Sequence, residues 1–368
     1  MKIIHTGDIH LDSPFTSLNP IEAEKRRTAL RAAFSSLMLY AKTQKCELFI
    51  IAGDLFDDDC VTKDTIAILC KEMENLPECK FIITPSNHDP YTEKSPYYLI
   101  NWPCNVHIFK SNEITFFDFP EINTRVYGSA YLSESKDAFN IDSIPTLDQS
   151  RINILIHHGD INASSSPYSP ITTDDINKSG FDYVALGHIH KGSQIEKQAN
   201  TFYAYCGCLE GRDFGECGYK GAIAGTLDKS NADLKHVRFC SKRYEIEEFD
   251  VTGNTDLSPC INEIVAKCAE YGEDTLLRIE LCGIVSESFS YNYDDIRKLI
   301  IRPSYLEIKD KTLSLLNIEN LKQDKTLAGE FYRILEPKLF SEDQKERENA
   351  SLALKYGLRA IYGMELKI

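Results

Sequence analysis

No stretch of this chain approaches the roughly 20 uninterrupted apolar residues that a membrane-spanning helix needs. Its opening, MKIIHTGDIH, lacks the basic start, long apolar stretch and small-residue cleavage site of a signal peptide, and is expected to be a first strand. The 12 cysteines show neither paired C-x-x-C spacings nor an adjacent histidine of the kind a structural zinc site uses. Without a secretory signal they read as reduced thiols of a cytoplasmic protein, with Cys206, Cys208 and Cys217 as strand-end and loop thiols. Positive charge is also scarce: 41 Lys and Arg stand against 56 Asp and Glu, a net charge of −15. A protein that grips nucleic acid through its own surface is normally basic. A nucleic-acid substrate would therefore have to be held by bound metals, by local Lys/Arg patches or by a partner.

What is present suits a well-cored chain of about two domains: 368 residues, 42% apolar and 10% aromatic. Up to about residue 243, short β-branched or aromatic runs alternate with amphipathic stretches. KIIHT, ELFIIAG, KFIIT, NVHIF, RVYGS, INILIH, FDYVALG and TFYAYCG read as strands. Helices are expected over about Ile21–Lys42, with Leu30, Phe34, Leu37 and Ala41 on one face, and Lys63–Asn75, with Ile66, Leu69 and Met73 aligned. Such alternation predicts a layered α/β core with some parallel pairing. Asn162–Pro170 (NASSSPYSP) is a loop by composition, facing either a substrate or plain solvent.

Near Arg243 the pattern changes. RYEIEEFDVTG, a helix over Leu257–Tyr271, TLLRIELCG, a short helix near Asp294–Ile301 and SYLEIKD predict a small α+β domain over 244–320. From 321 to 368 the chain is expected to be a helical tail, with Leu327, Phe331 and Ile334 along one face. A capping box of Ser341 and Gln344 would open a last helix aligning Leu354, Leu358 and Ile361.

Six of the nine histidines fall in short motifs that end or follow apolar runs. These are GDIH (Asp8, His10), GDLFD (Asp54), SNHD (Asn87, His88), IHHGD (His157, His158) and GHIH (His188, His190). Residues two apart on a strand end share a face, so Asp8 and His10 can reach one ion, and His188 and His190 again share a face. Asp54 has two oxygens with which to bridge two ions, and Asn87 adds a neutral oxygen that limits excess negative charge beside a phosphate. His88 is placed to donate a proton or stabilise a transition state rather than to ligate. Alternation points His157 and His158 to opposite faces, so one of them is the ligand, and His158 is the expected one. Singly each motif is weak; in this order they predict a binuclear metal site built from Asp8, His10, Asp54, Asn87, His158, His188 and His190. Lys191, Arg212 and Lys220, near motif ends, are candidate phosphate contacts, against the plainer reading of solvated surface charge.

The series D-x-H, G-D, N-H-D, H and G-H-x-H resembles the calcineurin-like metallophosphoesterase superfamily. IHTGDIHLD, AGDLFDD, Tyr168-Ser169-Pro170 through FDYVALGHIHKGSQ, YCGCLEGRDFGECGYKGAI and LAGEFYRIL are similar to the SbcD-type DNA repair exonucleases, in particular their YhaO-like branch. The resemblance implies a metallophosphoesterase β-sandwich flanked by helices (residues 1–243), a small α+β capping domain that recognises DNA (244–320) and a helical tail (321–368). It also implies two divalent ions, usually manganese. Asp8, His10, Asp54 and His190 would hold one, and Asp54, Asn87, His158 and His188 the other, with His88 catalytic. The implied partners are DNA, an SbcC-like ABC-type coiled-coil ATPase on the tail, and a second copy of the chain. In two places the chain departs from the pattern: Ser86 stands where the family has the glycine of G-N-H-D, and Cys208-Leu209 where it often has smaller residues or proline. The implied activity is two-metal hydrolysis of DNA phosphodiesters. The same ions would serve a phosphodiesterase or phosphatase of nucleotides and other small molecules equally well. A non-enzymatic scaffold would normally have lost ligands, and none is missing.

Overall fold

A computed structural model describes residues 1–16, 19–57, 60–286 and 288–362. The chain divides into two compact units, Met1–Tyr244 and Glu245–Ile368.

In the first unit the elements follow the hydropathy pattern in order. They are β1 (Lys2–Thr6), α1 (Pro20–Gln44), β2 (Leu48–Ile51), α2 (Lys63–Glu74), β3 (Lys80–Ile83), α3 (Pro96–Leu99), β4 (Val106–Ile108), β5 (Thr115–Phe119), β6 (Thr124–Gly128), β7 (Ile152–His158), α4 (Thr173–Ser179), β8 (Tyr183–Gly187), β9 (Glu196–Gln198), β10 (Thr201–Tyr205), β11 (Gly221–Asp228) and β12 (Asn231–Arg238). They build two sheets, ordered β12-β11-β1-β2-β3-β4 and β5-β6-β7-β8-β10-β9. Strands β1 to β4 are mutually parallel, as are β6, β7, β8 and β10; antiparallel strands complete the edges.

The period of two sorts the side chains into layers. Ile3, Leu48, Ile50 and Ile82 from one sheet meet Val126, Ile154, Ile156 and Ala185 from the other between the sheets. Their neighbours Ile4, Phe49, Ile51 and Phe81 face outward onto Leu30, Phe34, Leu37, Leu69 and Met73 of α1 and α2. On the far side, Leu155, Val184 and Leu186 pack on Ile176 of α4 and on Phe181. Strands buried on both faces read as near-continuous apolar runs, which is why FII and ILI occur here. The fold is thus the expected mixed α/β sandwich flanked by helices. Helix α1 opens on an Asn19 cap that accepts from Ile21 N and Glu22 N, with Pro20 at its first position.

The second unit begins within β13 (Arg243–Asp250). It continues through α5 (Ile261–Cys268), β14 (Thr275–Cys282), β15 (Ile284–Val285), α6 (Tyr293–Leu299), β16 (Tyr305–Asp310), β17 (Leu313–Ser314), α7 (Leu315–Gln323), α8 (Leu327–Leu339) and α9 (Gln344–Ile361). Phe249, Leu277, Ile279, Ile296 and Leu306 form one apolar cluster. A separate one of Leu321, Ala328, Tyr332, Leu354 and Leu358 joins the last three helices. The tail differs from expectation in its cap. Asp343, not Ser341, caps α9, its carboxylate accepting from Lys345 N at 2.9 Å. Leu327 and Ile334 are exposed, because the buried stripe runs through Ala328, Phe331, Tyr332 and Leu335. No helix is long and apolar enough to cross a membrane among the described residues.

Candidate metal centre

Parallel strands align their carboxyl ends, and in open α/β sheets that edge is where ligands bind. Here two sheets bring their edges together. Asp8 and His10 follow β1, Asp54 follows β2, Asn87 and His88 follow β3, His158 ends β7, and His188 and His190 follow β8. The backbone leaves extended geometry to aim these side chains: Asp8, His10, Asp54 and His188 adopt positive φ angles of 48°, 50°, 48° and 98°. Strain of this kind costs about 1–3 kcal/mol per residue and clusters at functional sites. Gly53, at φ 89°, has no room for a side chain, since a Cβ there would stand 2.2 Å from His158 Nδ1. The loops are tied to one another through Ile9 N to Asp54 O (2.8 Å), His10 N to Asp54 O (2.9 Å) and His188 N to Asp8 Oδ1 (2.9 Å).

Tautomers decide what the cluster can hold. His158 Nδ1 lies 2.9 Å from the carbonyl of Ala52, which can only accept, so Nδ1 carries the proton. A carboxylate does the same for His10, whose Nδ1 donates to Asp57 Oδ1 at 3.1 Å, while His190 Nδ1 lies between Glu216 Oε1 (2.6 Å) and Arg212 Nη2 (3.0 Å). The Nε2 atoms of His10 and His158 are therefore left with lone pairs. His10 Nε2 lies 3.3 Å from His190 Nε2, and His158 Nε2 lies 2.9 Å from Asn87 Oδ1. Imidazole, carboxylate and amide oxygen gathered in this way are a fitting donor set for a divalent transition metal. Asp54 faces both groups, its Oδ2 3.4 Å from His10 Nε2 and its Oδ1 3.6 Å from His158 Nε2. Ligating atoms of Asp8, His10, Asp54 and His190 all lie within 4.8 Å of one another. The His188 ring stands edge-on to that of His158, centroids 5.1 Å apart.

Metal binding needs deprotonated ligands, a condition that His10, His158 and Asp54 meet and that Asp8 meets only on losing its proton to a cation. Burial lowers His10 and pushes His158 down to about 4, so both rings are neutral near neutrality. Burial, and then the Asp54 charge, push the Asp8 carboxyl well above its ordinary range. Burial would also raise Asp54, but the facing His158, His10 and His88 and the Ser86 hydroxyl outweigh it and hold the carboxyl below its usual range.

His88 is half exposed, its ring 5.1 Å from that of His10 and its Nδ1 3.4 Å from Asp57 Oδ1. His157 turns away: its Nε2 meets the Ser169 carbonyl at 2.8 Å and its ring lies edge-on to Phe139. Lys191 is exposed, and Arg212 is paired with Glu216 (Nη2 to Oε1, 3.1 Å). Lys220 is placed differently from the phosphate contact expected of it. Its side chain is buried and its Nζ donates to the His190 carbonyl at 3.2 Å, which props the GHIH turn from behind. Among the described residues, no cysteine belongs to a group placed to hold an ion.

Asp57 and Glu216 orient ligands without being expected from the sequence. Asp57 sits inside the GDLFD motif and was legible there; Glu216 lies 26 residues from His190, with no local signal. Outer partners of this kind commonly carry about 10–100-fold in metal affinity. Glu216→Ala should weaken manganese binding by about that factor while the far-UV circular dichroism stays unchanged.

A profile of the calcineurin-like phosphoesterase family matches residues 1–192. The chain belongs to that family. It is also 30% identical over 302 residues to a protein of Bacillus subtilis (strain 168) described as "Uncharacterized metallophosphoesterase YhaO", covering 78% of this chain and 73% of the relative. The family implies hydrolysis of phosphoesters at a binuclear divalent metal site, and the donor set fits such a site.

Proposed function

We propose that this metallophosphoesterase is a manganese-dependent DNA nuclease of SbcD type, acting in DNA repair. The observation that carries the hydrolytic part is the convergence of two lone-pair donor sets on the two oxygens of one buried carboxylate, Asp54. Asp8, His10, Asp54 and His190 would hold one cation, and Asp54, Asn87, His158 and His188 the other. When bound, such a pair lowers the pKa of a water and neutralises charge on the phosphate oxygens. The protein's own part is then to orient and to move protons. His10, His158 and His190 are held in place by their Nδ1 partners, and the half-exposed His88 beside His10 stabilises the developing charge or protonates the leaving oxygen. Four positive charges from two divalent ions would offset the acidic surface where a polyanion approaches.

The choice of DNA rests on the motif similarity to SbcD-type exonucleases and on the presence of a second unit. Residues 321–368 are the proposed docking segment for an SbcC-like ATPase, and a homodimer is the proposed assembly. The test is hydrolysis of an end-labelled linear duplex with manganese, beside bis(p-nitrophenyl) phosphate. Cleavage of the duplex supports the nuclease; cleavage of the small diester alone, even with the ATPase added, replaces it with a phosphodiesterase of small substrates. His88→Asn should lower turnover by about 10²–10⁴-fold, the usual weight of a general acid, with metal content unchanged. Loss of metal in that variant would move His88 into the ligand set.

A further inference from the structure

The geometry points to Ser86 as the positioning residue that fixes the rotation of the bridging carboxylate and so sets the affinity of the Asn87/His158/His188 metal position; this rests on the metal-centre reading above. Asp54 is held only at its far end by the strand–turn geometry, and its carboxylate has to present one oxygen to each donor set. Ser86 supplies the missing constraint from the neighbouring loop. The Asp54 backbone N–H donates to Ser86 Oγ at 2.5 Å, and the one proton of that hydroxyl is shared between Asp54 Oδ1 and Asp89 Oδ1, closing a small ring around the residue. Oδ1 is the oxygen on the His158 side, 3.6 Å from Nε2, while Oδ2 is turned to His10. Apart from Ser86, the hydrogen-bond donor to Oδ1 among the described residues is the His88 amide, and it is distant at 3.4 Å.

Ser86 is itself held. Its Oγ lies 2.6 Å from Asp89 Oδ1, and its N–H donates to the same oxygen at 2.9 Å. Asp89 is buried and already takes Leu55 N (2.8 Å), Phe56 N (3.1 Å) and Tyr97 Oη (2.6 Å) on Oδ2. Asp89 thus staples the loop after β2 to the loop after β3, and Ser86 passes that fixed position on to Asp54. A hydroxyl that touches only the His158-side oxygen should matter unequally to the two cations.

The test is calorimetric titration of metal-stripped protein with manganese chloride, for wild type, Ser86→Ala, Ser86→Thr and Asn87→Ala. The binding step that Asn87→Ala removes identifies the second position. In Ser86→Ala that step should weaken about 10–100-fold, the usual weight of an outer partner, while the other stays within about threefold. Ser86→Thr, which keeps the hydroxyl, should restore it. Equal weakening of both steps would make Ser86 a loop-packing residue and overturn the inference, as would two unchanged steps. A wild-type protein that takes up no manganese would instead remove the metal-centre reading itself.

Discussion

Asp54→Ala is expected to abolish metal-dependent phosphodiester hydrolysis, with a fall in kcat/KM of about 10³-fold or more. The size follows from position. Asp54 is 1% exposed and turns one oxygen to His10 Nε2 and the other to His158 Nε2, so its removal empties both donor sets of their shared anion. Charge stabilisation by bound cations is worth several kcal/mol in the transition state, and each 1.36 kcal/mol is tenfold in rate. Asp54→Asn preserves the volume but leaves one neutral oxygen and an amide that repels a cation, so it should be nearly as inactive. Steady-state kinetics on bis(p-nitrophenyl) phosphate, with circular dichroism as the folding control, checks this. Substantial retained turnover would remove the bridging role.

Gly187→Ala is expected to have the largest effect on stability. Gly187 ends β8, and an added Cβ would stand 1.8 Å from the carbonyl oxygen of Ala52, just after β2. The clash is with backbone, at the point where the carboxyl ends of the two sheets meet, so no side-chain rotation relieves it. Overpacking of this kind costs about 3 kcal/mol at the upper end of its usual range. For a unit of this size that lowers Tm by roughly 6–12 °C. The same displacement carries His158 and His188 away from Asp54, so manganese affinity should fall with it. A Tm within about 2 °C of wild type would show that the sheets separate there without cost.

Much of the architecture is legible in the sequence because the strands are buried on both faces and announce themselves as short apolar runs. FII of β2 and β3, and ILI of β7, place the following motif residues at strand ends before any coordinates are known. The ligand motifs are legible because they follow those runs, although Asp8, His10 and His188 are aimed by positive φ angles beyond the strand ends and not by strand alternation. What is not legible depends on pairing across the chain. Glu216 meets His190, and Lys220 reaches the His190 carbonyl, only because the loop after β10 folds back over the GHIH turn. The neighbouring His157 and His158 are likewise told apart only by tertiary contacts, one ring meeting the Ser169 carbonyl and the other that of Ala52. In the tail, periodicity aligns Leu327, Phe331 and Ile334, but which stripe is covered depends on how α8 meets α9, and Ala328 and Tyr332 are the buried residues there. Helix caps are equally local in appearance and tertiary in outcome, as the displacement from Ser341 to Asp343 shows.

The central claim is a two-cation centre bridged by Asp54. It is tested most directly by the metal content of protein stripped with chelator, reloaded with manganese and passed through a desalting column, read by elemental analysis. The account predicts two manganese ions per wild-type chain and one or none in Asp54→Ala. Wild-type protein that retains no manganese, or an Asp54→Ala variant that keeps both ions, would contradict it.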